Sequence, residues 1–401
     1  MVRISRIAFA VACIGVTGVL AGCSAVPGTP LAAEQDVRKL EVGTYPVDRH
    51  KYGQDAGLNG ALVEGMRMSE AVVASSKIDP SLTYGREGKV LGSIDDAVEH
   101  VASESKPVLV NRNYLTGYAT SGSDKPDPPG QHRPSADTTA ITNVLFRFPD
   151  EATAKIAARE LEDADINISP DNRKLPSSKY PDAYIHWRPG IPNIGTFMAH
   201  KEFVISLFVG RPRADGPDLL SWVEKTLDAQ ISALDRFQPT PQDEFSSLKI
   251  DPEGMLARVV VADRRGHTPN ADNFAVYGPS YFVQSAEDES KTQKLVDEVG
   301  VEKFAIVDNG SVTRVRDYPA AQKFIDGLID EVHNTFDSID APIDVPGAKC
   351  LQLNSKGDPE RQYKYRCYVP YQRYVGVVTS DKEPDVRQKV TAQYALLANS
   401  L

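Results

Sequence analysis

Residues 140–150 read Ala-Ile-Thr-Asn-Val-Leu-Phe-Arg-Phe-Pro-Asp, and the chain continues Glu-Ala-Thr-Ala-Lys-Ile-Ala-Ala-Arg-Glu-Leu-Glu-Asp-Ala to position 164. The first nine residues are rich in β-branched and aromatic side chains and predict a strand. Pro149 ends it, and Asp150 is placed to cap a helix whose Thr153, Ile156, Ala157, Glu160, Leu161 and Ala164 share one face. Strands are expected downstream over 183–188, 194–200 and 203–210. A second helix is expected from Pro217 to Phe237, with Leu220, Val223, Leu227, Ile231 and Leu234 in one stripe.

The same order recurs in the second half. Residues 304–308 and 311–315 flank Asn309-Gly310, a strong hairpin turn signal. Asp317 then caps a helix carrying Ala321, Phe324, Leu328 and Val332. Strands follow around Cys350, Cys367 and 374–379, and a last helix begins near Pro384. Asp150 and Asp317 lie 167 positions apart, as do Pro217 and Pro384. Glu64-Gly-Met66 and Glu253-Gly-Met255 lie 189 apart, and a Ser-, Asp-, Pro- and Gly-rich loop over 117–138 accounts for the difference. The expected fold is α+β, with two similar lobes arising by internal duplication. Each would be an antiparallel sheet covered by helices on one face, of the ferredoxin-like β-α-β-β-α type. The boundary falls near Gln238-Pro-Thr-Pro-Gln242, giving lobes over 40–239 and 240–401.

The N-terminus has a different character. Arg3 and Arg6 precede an apolar run from Ile7 to Leu20, and Leu20-Ala-Gly-Cys23 follows. A basic start, an apolar middle and small residues before the cut mark a secretory signal peptide. The run is about 14 residues, short of the roughly 20 that cross a bilayer. A cysteine directly after Leu-Ala-Gly resembles the bacterial lipoprotein signal. That resemblance implies cleavage of residues 1–22 and acylation of Cys23, palmitate-type chains included. The protein would then be secreted and held on the extracytoplasmic face of the cell membrane. Residues 23–39, with Pro27, Gly28 and Pro30, read as a flexible tether.

The formal charge of −10 disfavours nucleic acid as a partner, because a phosphate backbone calls for clustered Lys and Arg. Cys350 and Cys367 are an even pair in an oxidising compartment. The midpoint between them falls in Lys356-Gly-Asp-Pro359, a good turn, so the two would face each other across a hairpin and form a disulfide.

Leu20 to Cys23, Leu40-Glu-Val-Gly-Thr-Tyr-Pro46 and Glu64-Gly-Met-Arg-Met-Ser-Glu70 resemble a family of actinobacterial, mycobacterial-type envelope lipoproteins whose domain has no known function. The resemblance implies location and architecture and carries over no catalytic or ligand residues.

Local chemistry signatures are absent: there is no Gly-x-Ser-x-Gly, His-Glu-x-x-His, P-loop or Gly-x-Gly-x-x-Gly. No catalytic residue, metal site or cofactor is therefore assigned. His186-Trp187 and His200 lie on or beside neighbouring strands and admit two readings, pocket lining or ordinary strand positions with satisfied hydrogen bonds. In the Tyr-rich stretch 363–374, alternation puts Tyr363, Tyr365, Cys367, Val369 and Tyr371 on one face and Lys364, Arg366 and Tyr368 on the other. This is core packing or a binding face. The expected function is a non-catalytic module for a small hydrophobic ligand or an envelope protein partner, anchored to the membrane by its lipid. The alternatives are an enzyme with its site in a cleft between the lobes, drawing on His186 and His200, and a structural or assembly subunit.

Overall fold

Two seven-stranded antiparallel sheets with the same strand order form the body of the protein, in a computed structural model that describes residues 36–128, 131 and 133–400. Cys23, the signal segment 1–22, tether residues 23–35 and Pro129 of the proline-rich loop lie outside the described residues. The first half comprises α1 (Gly60–Arg67), α2 (Ser75–Ile78), β1 (Tyr84–Leu91), α3 (Ile94–Val98), α4 (Lys106–Asn111), β2 (Thr116–Ser123), β3 (Ala140–Arg147), α5 (Glu151–Ile166), β4 (Arg173–Lys174), β5 (Tyr184–Trp187), β6 (Asn193–His200), β7 (Phe203–Gly210) and α6 (Gly216–Arg236). The second comprises β8 (Phe274–Tyr277), α7 (Pro279–Gln284), α8 (Glu289–Val299), β9 (Lys303–Val307), β10 (Gly310–Arg314), α9 (Tyr318–Val332), β11 (Phe336–Ile339), β12 (Lys349–Leu353), β13 (Tyr365–Tyr371), β14 (Tyr374–Ser380) and α10 (Glu383–Asn399).

The sheets run β1-β2-β3-β7-β6-β5-β4 and β8-β9-β10-β14-β13-β12-β11. Numbered from its own first strand, each half has one strand order and, from that strand on, the same sequence of helices, so the repeat expected from the spacing is present in the fold; α1 and α2 have no α-helical counterpart before β8. Asp150 accepts the Thr153 N–H at 2.7 Å and Asp317 accepts the Ala320 N–H at 2.9 Å, the same cap on α5 and α9. The paired Glu-Gly-Met segments also have a shared purpose. Glu64 forms an ion pair with Arg147, the last residue of β3, and Glu253 pairs with Arg314, the last residue of β10.

Several expectations need correction. Each sheet has more strands than the β-α-β-β-α reading allows; in the first, β1 and β2 carry little hydrophobic signal. Residues 116–123, read as part of an inserted loop, form β2, a strand buried along its whole length. Its small residues are required by close approach: a Cβ on Gly122 would lie 2.4 Å from the Ser75 Cβ of α2. The insertion is the shorter segment 124–139, opposite the two-residue turn Asp308-Asn309 of the second half.

Helices cover both faces of each sheet, not one. Ala154, Ala157 and Leu161 of α5 pack on Val144, Phe146 and Val204, while Leu219, Val223 and Leu227 of α6 pack on Ile141, Leu145 and Ile205. In the second half α9 covers Leu351, Tyr368 and Val375, and α10 covers Cys367, Val369 and Val378. The run Val144-Leu-Phe146 is apolar at both parities, as a strand buried on both faces requires. The buried face of α5 is also rotated from the one read in the sequence, since Ala154, Ala158 and Glu162 are buried while Ile156 is more than a third exposed, at 37%.

From Asp36 onward the chain makes one compact unit. Ala275 and Tyr277 of β8 share a core with Met66, Met68 and Leu227, and Leu40, Tyr52 and Ala56 are buried with Met255, Val260 and Tyr394. The two lobes are thus joined through apolar cores. Cys350 and Cys367 face each other in the β12–β13 register and are joined as a disulfide.

Candidate functional site

Beyond its covered part, the α5 face of the first sheet is open. There the last turn of α5, the segment 99–102 and strands β5, β6, β7 and β3 enclose a cleft of about 540 Å³. Its walls gather apolar side chains that are unusually exposed: Phe208 at 51%, Ile168 at 51% and Ile191 at 38%. Large apolar groups left in water around one concavity mark an interaction site more strongly than scattered ones.

His186 of β5 lines this cleft. Its Nδ1–H donates to Glu162 Oε2 of α5 at 2.7 Å, and its Nε2 lies 3.6 Å from Asp165 Oδ2 one turn on. Gly195, opposite His186 in the β5–β6 register, makes room for the ring: a Cβ there would sit 2.9 Å from His186 Cε1. Burial pushes the imidazole pKa down, but the hydrogen bond to Glu162 and the charges of Glu162 and Asp165 outweigh it, and the net shift is upward. Burial raises the Asp165 carboxyl. Glu162 is fully buried, and its Oε1 has no hydrogen-bond partner among the described residues. The ring therefore lies between two carboxyl groups, 2.7 Å from Glu162 and 3.6 Å from Asp165. Asp165, a quarter exposed, presents an acceptor to the cleft.

The other sequence candidates separate. Trp187, the next residue on β5, packs against Gly216 at the start of α6 while also bordering the cleft. His200 lies at the far end of β6, on the α6 side, with Nε2 2.9 Å from Asp235 Oδ1. His186 and His200 therefore do not meet, because successive side chains alternate between faces and these belong to opposite ones. Arg366 and Tyr368 share the α9 face of β13, where they line a shallower groove of about 310 Å³. The Arg366 guanidinium stacks over Phe336, and burial raises the Tyr368 phenol pKa.

These two grooves occupy equivalent positions. The β6–β7 hairpin pairs His200 with Phe203 and the β13–β14 hairpin pairs Tyr371 with Tyr374. The turn residues Lys201 and Gln372 both take positive φ, 54° and 48°. Counted from these turns, Gly195 corresponds to Arg366 and Phe197 to Tyr368. The cross-strand partner of Gly195 is His186, and that of Arg366 is Leu351. Counted from the capping aspartates, Glu162 corresponds to Ile329 and Asp165 to Val332. The first lobe thus has a charged cluster where the second has three apolar side chains.

The groove between the lobes, about 400 Å³, is lined by apolar groups including Met66, Met255 and Phe274 and by no histidine. Among the described residues no group of three or more His, Cys, Asp or Glu could hold a metal ion. Glu162 and Asp165 were not among the sequence candidates. The available signal was a carboxylate at 162 beside the Ala154, Ala157, Ala158 and Leu161 stripe, visible once the helix face is set correctly.

Family models for a domain of unknown function (DUF7373) match the chain, the N-terminal model over residues 51–250 and the C-terminal model over 255–400. The chain belongs to this family. A search of curated proteins gives no match. Among solved structures, the extracellular domain of PknH from Mycobacterium tuberculosis matches with a TM-score of 0.30 and 8% identity, covering 42% of this chain and 95% of that one.

Proposed function

We propose that this DUF7373 protein is a lipid-anchored, extracytoplasmic binding module whose first-lobe cleft takes a small amphipathic ligand. The reading of location rests on Leu20-Ala-Gly-Cys23 after its apolar run. A disulfide between Cys350 and Cys367 is in keeping with an oxidising compartment. Among the described residues no helix is long and apolar enough to cross a membrane.

The observation that carries the binding reading is the convergence of Phe208, Ile168 and Ile191 beside Asp165 and the buried His186–Glu162 pair. The cleft volume is in the range typical of small-molecule sites, about 300–1,000 Å³. An apolar ligand body would cover the three exposed side chains, and a donor such as an amine or hydroxyl would meet Asp165.

Native mass spectrometry of the full chain, purified in detergent from an exporting host, tests this. The expected result is an excess mass that disappears on denaturation and is absent from Phe208→Asp, a change at an exposed position. A bare-chain mass together with no response of either protein to amphipathic amines would refute the reading.

A further inference from the structure

A second site is built on the opposite side of the molecule's chemistry. Although the chain carries a net charge of −10, one pocket of about 450 Å³ is lined by Arg49, Lys51, Lys249 and Arg258. The two carboxylates on its wall are already engaged. Asp251 accepts the backbone N–H groups of Leu256 and Ala257, both at 3.0 Å, and Glu253 pairs with Arg314. Lys249 pairs with Asp55, while Arg49 and Lys51 form no ion pair among the described residues and are exposed. Arg258 donates from Nη1 to the carbonyls of Glu253 and Gly254, which fixes its guanidinium against the pocket wall. The cationic charge left over at this pocket is that of Arg49 and Lys51, which can meet an anion from solution.

This pocket shares a wall with the apolar groove between the lobes. Lys249, Asp251, Pro252 and Glu253 line both. On the groove side Met66, Ile250, Met255, Phe274 and Val276 supply the apolar surface, with Arg67, Glu244 and Lys303 also on its lining. An apolar groove and a basic pocket that meet along one short segment are complementary to a single molecule with an apolar body and an anionic end. A lone inorganic anion would leave the groove unused, and a neutral apolar molecule would leave the cations unused.

We infer that the segment 249–253 is the shared wall of one site for an anionic amphiphile, with its phosphate-class head at Arg49, Lys51, Lys249 and Arg258 and its chain in the inter-lobe groove. This site is separate from the His186 cleft and does not depend on it.

The test is native mass spectrometry of the full chain released from a neutral maltoside detergent, after incubation with equimolar lysophosphatidylglycerol and lysophosphatidylcholine. A parallel arm uses inorganic phosphate alone. The expected result is retention of the anionic lysolipid over the zwitterionic one by about tenfold, a difference of about 1.4 kcal/mol. Arg49→Gln with Lys51→Gln should remove that preference. Val276→Trp, at a half-buried groove position, should lower retention of both lipids. Thermal melting of each variant checks that it is folded, and the exposed Arg49/Lys51 pair keeps the test valid should Val276→Trp unfold. Equal retention of the two lysolipids, or a preference unchanged by the double substitution, would overturn the inference. So would a phosphate adduct without lipid retention, which would assign the pocket to the free ion.

Discussion

The two lobes share a strand order, a pair of capping aspartates and a Glu–Arg ion pair, and they differ where those shared features frame an interior position. At the β5 site facing α5 the first lobe has His186, Glu162 and Asp165, while the equivalent positions hold Leu351, Ile329 and Val332. One residue away the contrast reverses. The cross-strand pair Ile185 and Thr196 in the first lobe corresponds to the disulfide Cys350–Cys367 in the second. The lattice of backbone pairing is therefore indifferent to what fills these positions. One copy uses the freedom for a charged cluster beneath an open cleft, the other for a covalent staple and for apolar side chains at the three equivalent positions. A polar cluster that the sister lobe replaces by hydrophobic side chains is not required by the shared strand pairing.

The Glu–Arg pairs offer the largest expected difference. Glu64 is fully buried and receives Arg147, which is itself buried, at 2.6 Å, with Arg67 as a second partner and the Thr240 N–H at 3.0 Å. Arg147→Met strands most of that arrangement and should cost about 3–5 kcal/mol in urea denaturation. Arg314→Met in the second lobe breaks a pair whose Glu253 is well exposed and should cost no more than about 1 kcal/mol. Equal costs would remove the asymmetry between the lobes' centres.

The staple comes next. Replacing Cys350 and Cys367 together by Ala should cost about 3 kcal/mol, as expected for closing a loop of this length. The loss should appear as a lower denaturation midpoint under oxidising conditions. Reduction should lower the wild-type midpoint similarly and leave the variant unmoved.

The smallest expected effect is in pH. His186 titrates above its ordinary value in the folded protein, so the stability it contributes is fully present below about pH 6.5, the unfolded value, and is lost as pH rises through the folded pKa. Thermal melts taken upward from that pH should show a decline that His186→Gln reduces. A decline of the same size in the variant would assign it to other groups.

Much of the fold was legible because its signals are local. The caps at Asp150 and Asp317 and the amphipathic stripes of α6 and α9 act within a few residues, and the hairpin signal read at Asn309-Gly310 falls one residue beyond the actual turn, Asp308-Asn309. The β1 and β2 strands escaped because their glycines are shaped by close tertiary neighbours, Gly88 by Gln284 of α7, Gly122 by Ser75 of α2 and Gly117 by Tyr114 and the Leu145 carbonyl, a cause that periodicity does not carry. The joining of the lobes through Ala275 and Tyr277 was invisible for the same reason. At the site, His186 stood out as a residue type. Its partners did not, because Glu162 and Asp165 reach it from α5 across the sheet face, and their roles depend on a helix rotation that the sequence reading placed one step off.

The most direct test gives the first lobe the second lobe's residues: His186→Leu with Glu162→Ile, compared with wild type for thermal midpoint and retained ligand. Exchanging a buried ion pair for apolar side chains is often neutral or stabilising by about 1–4 kcal/mol. The account predicts an unchanged or higher midpoint with loss of the ligand held in the cleft. A lower midpoint with the ligand still bound would make the pair structural and contradict the division of roles between the lobes.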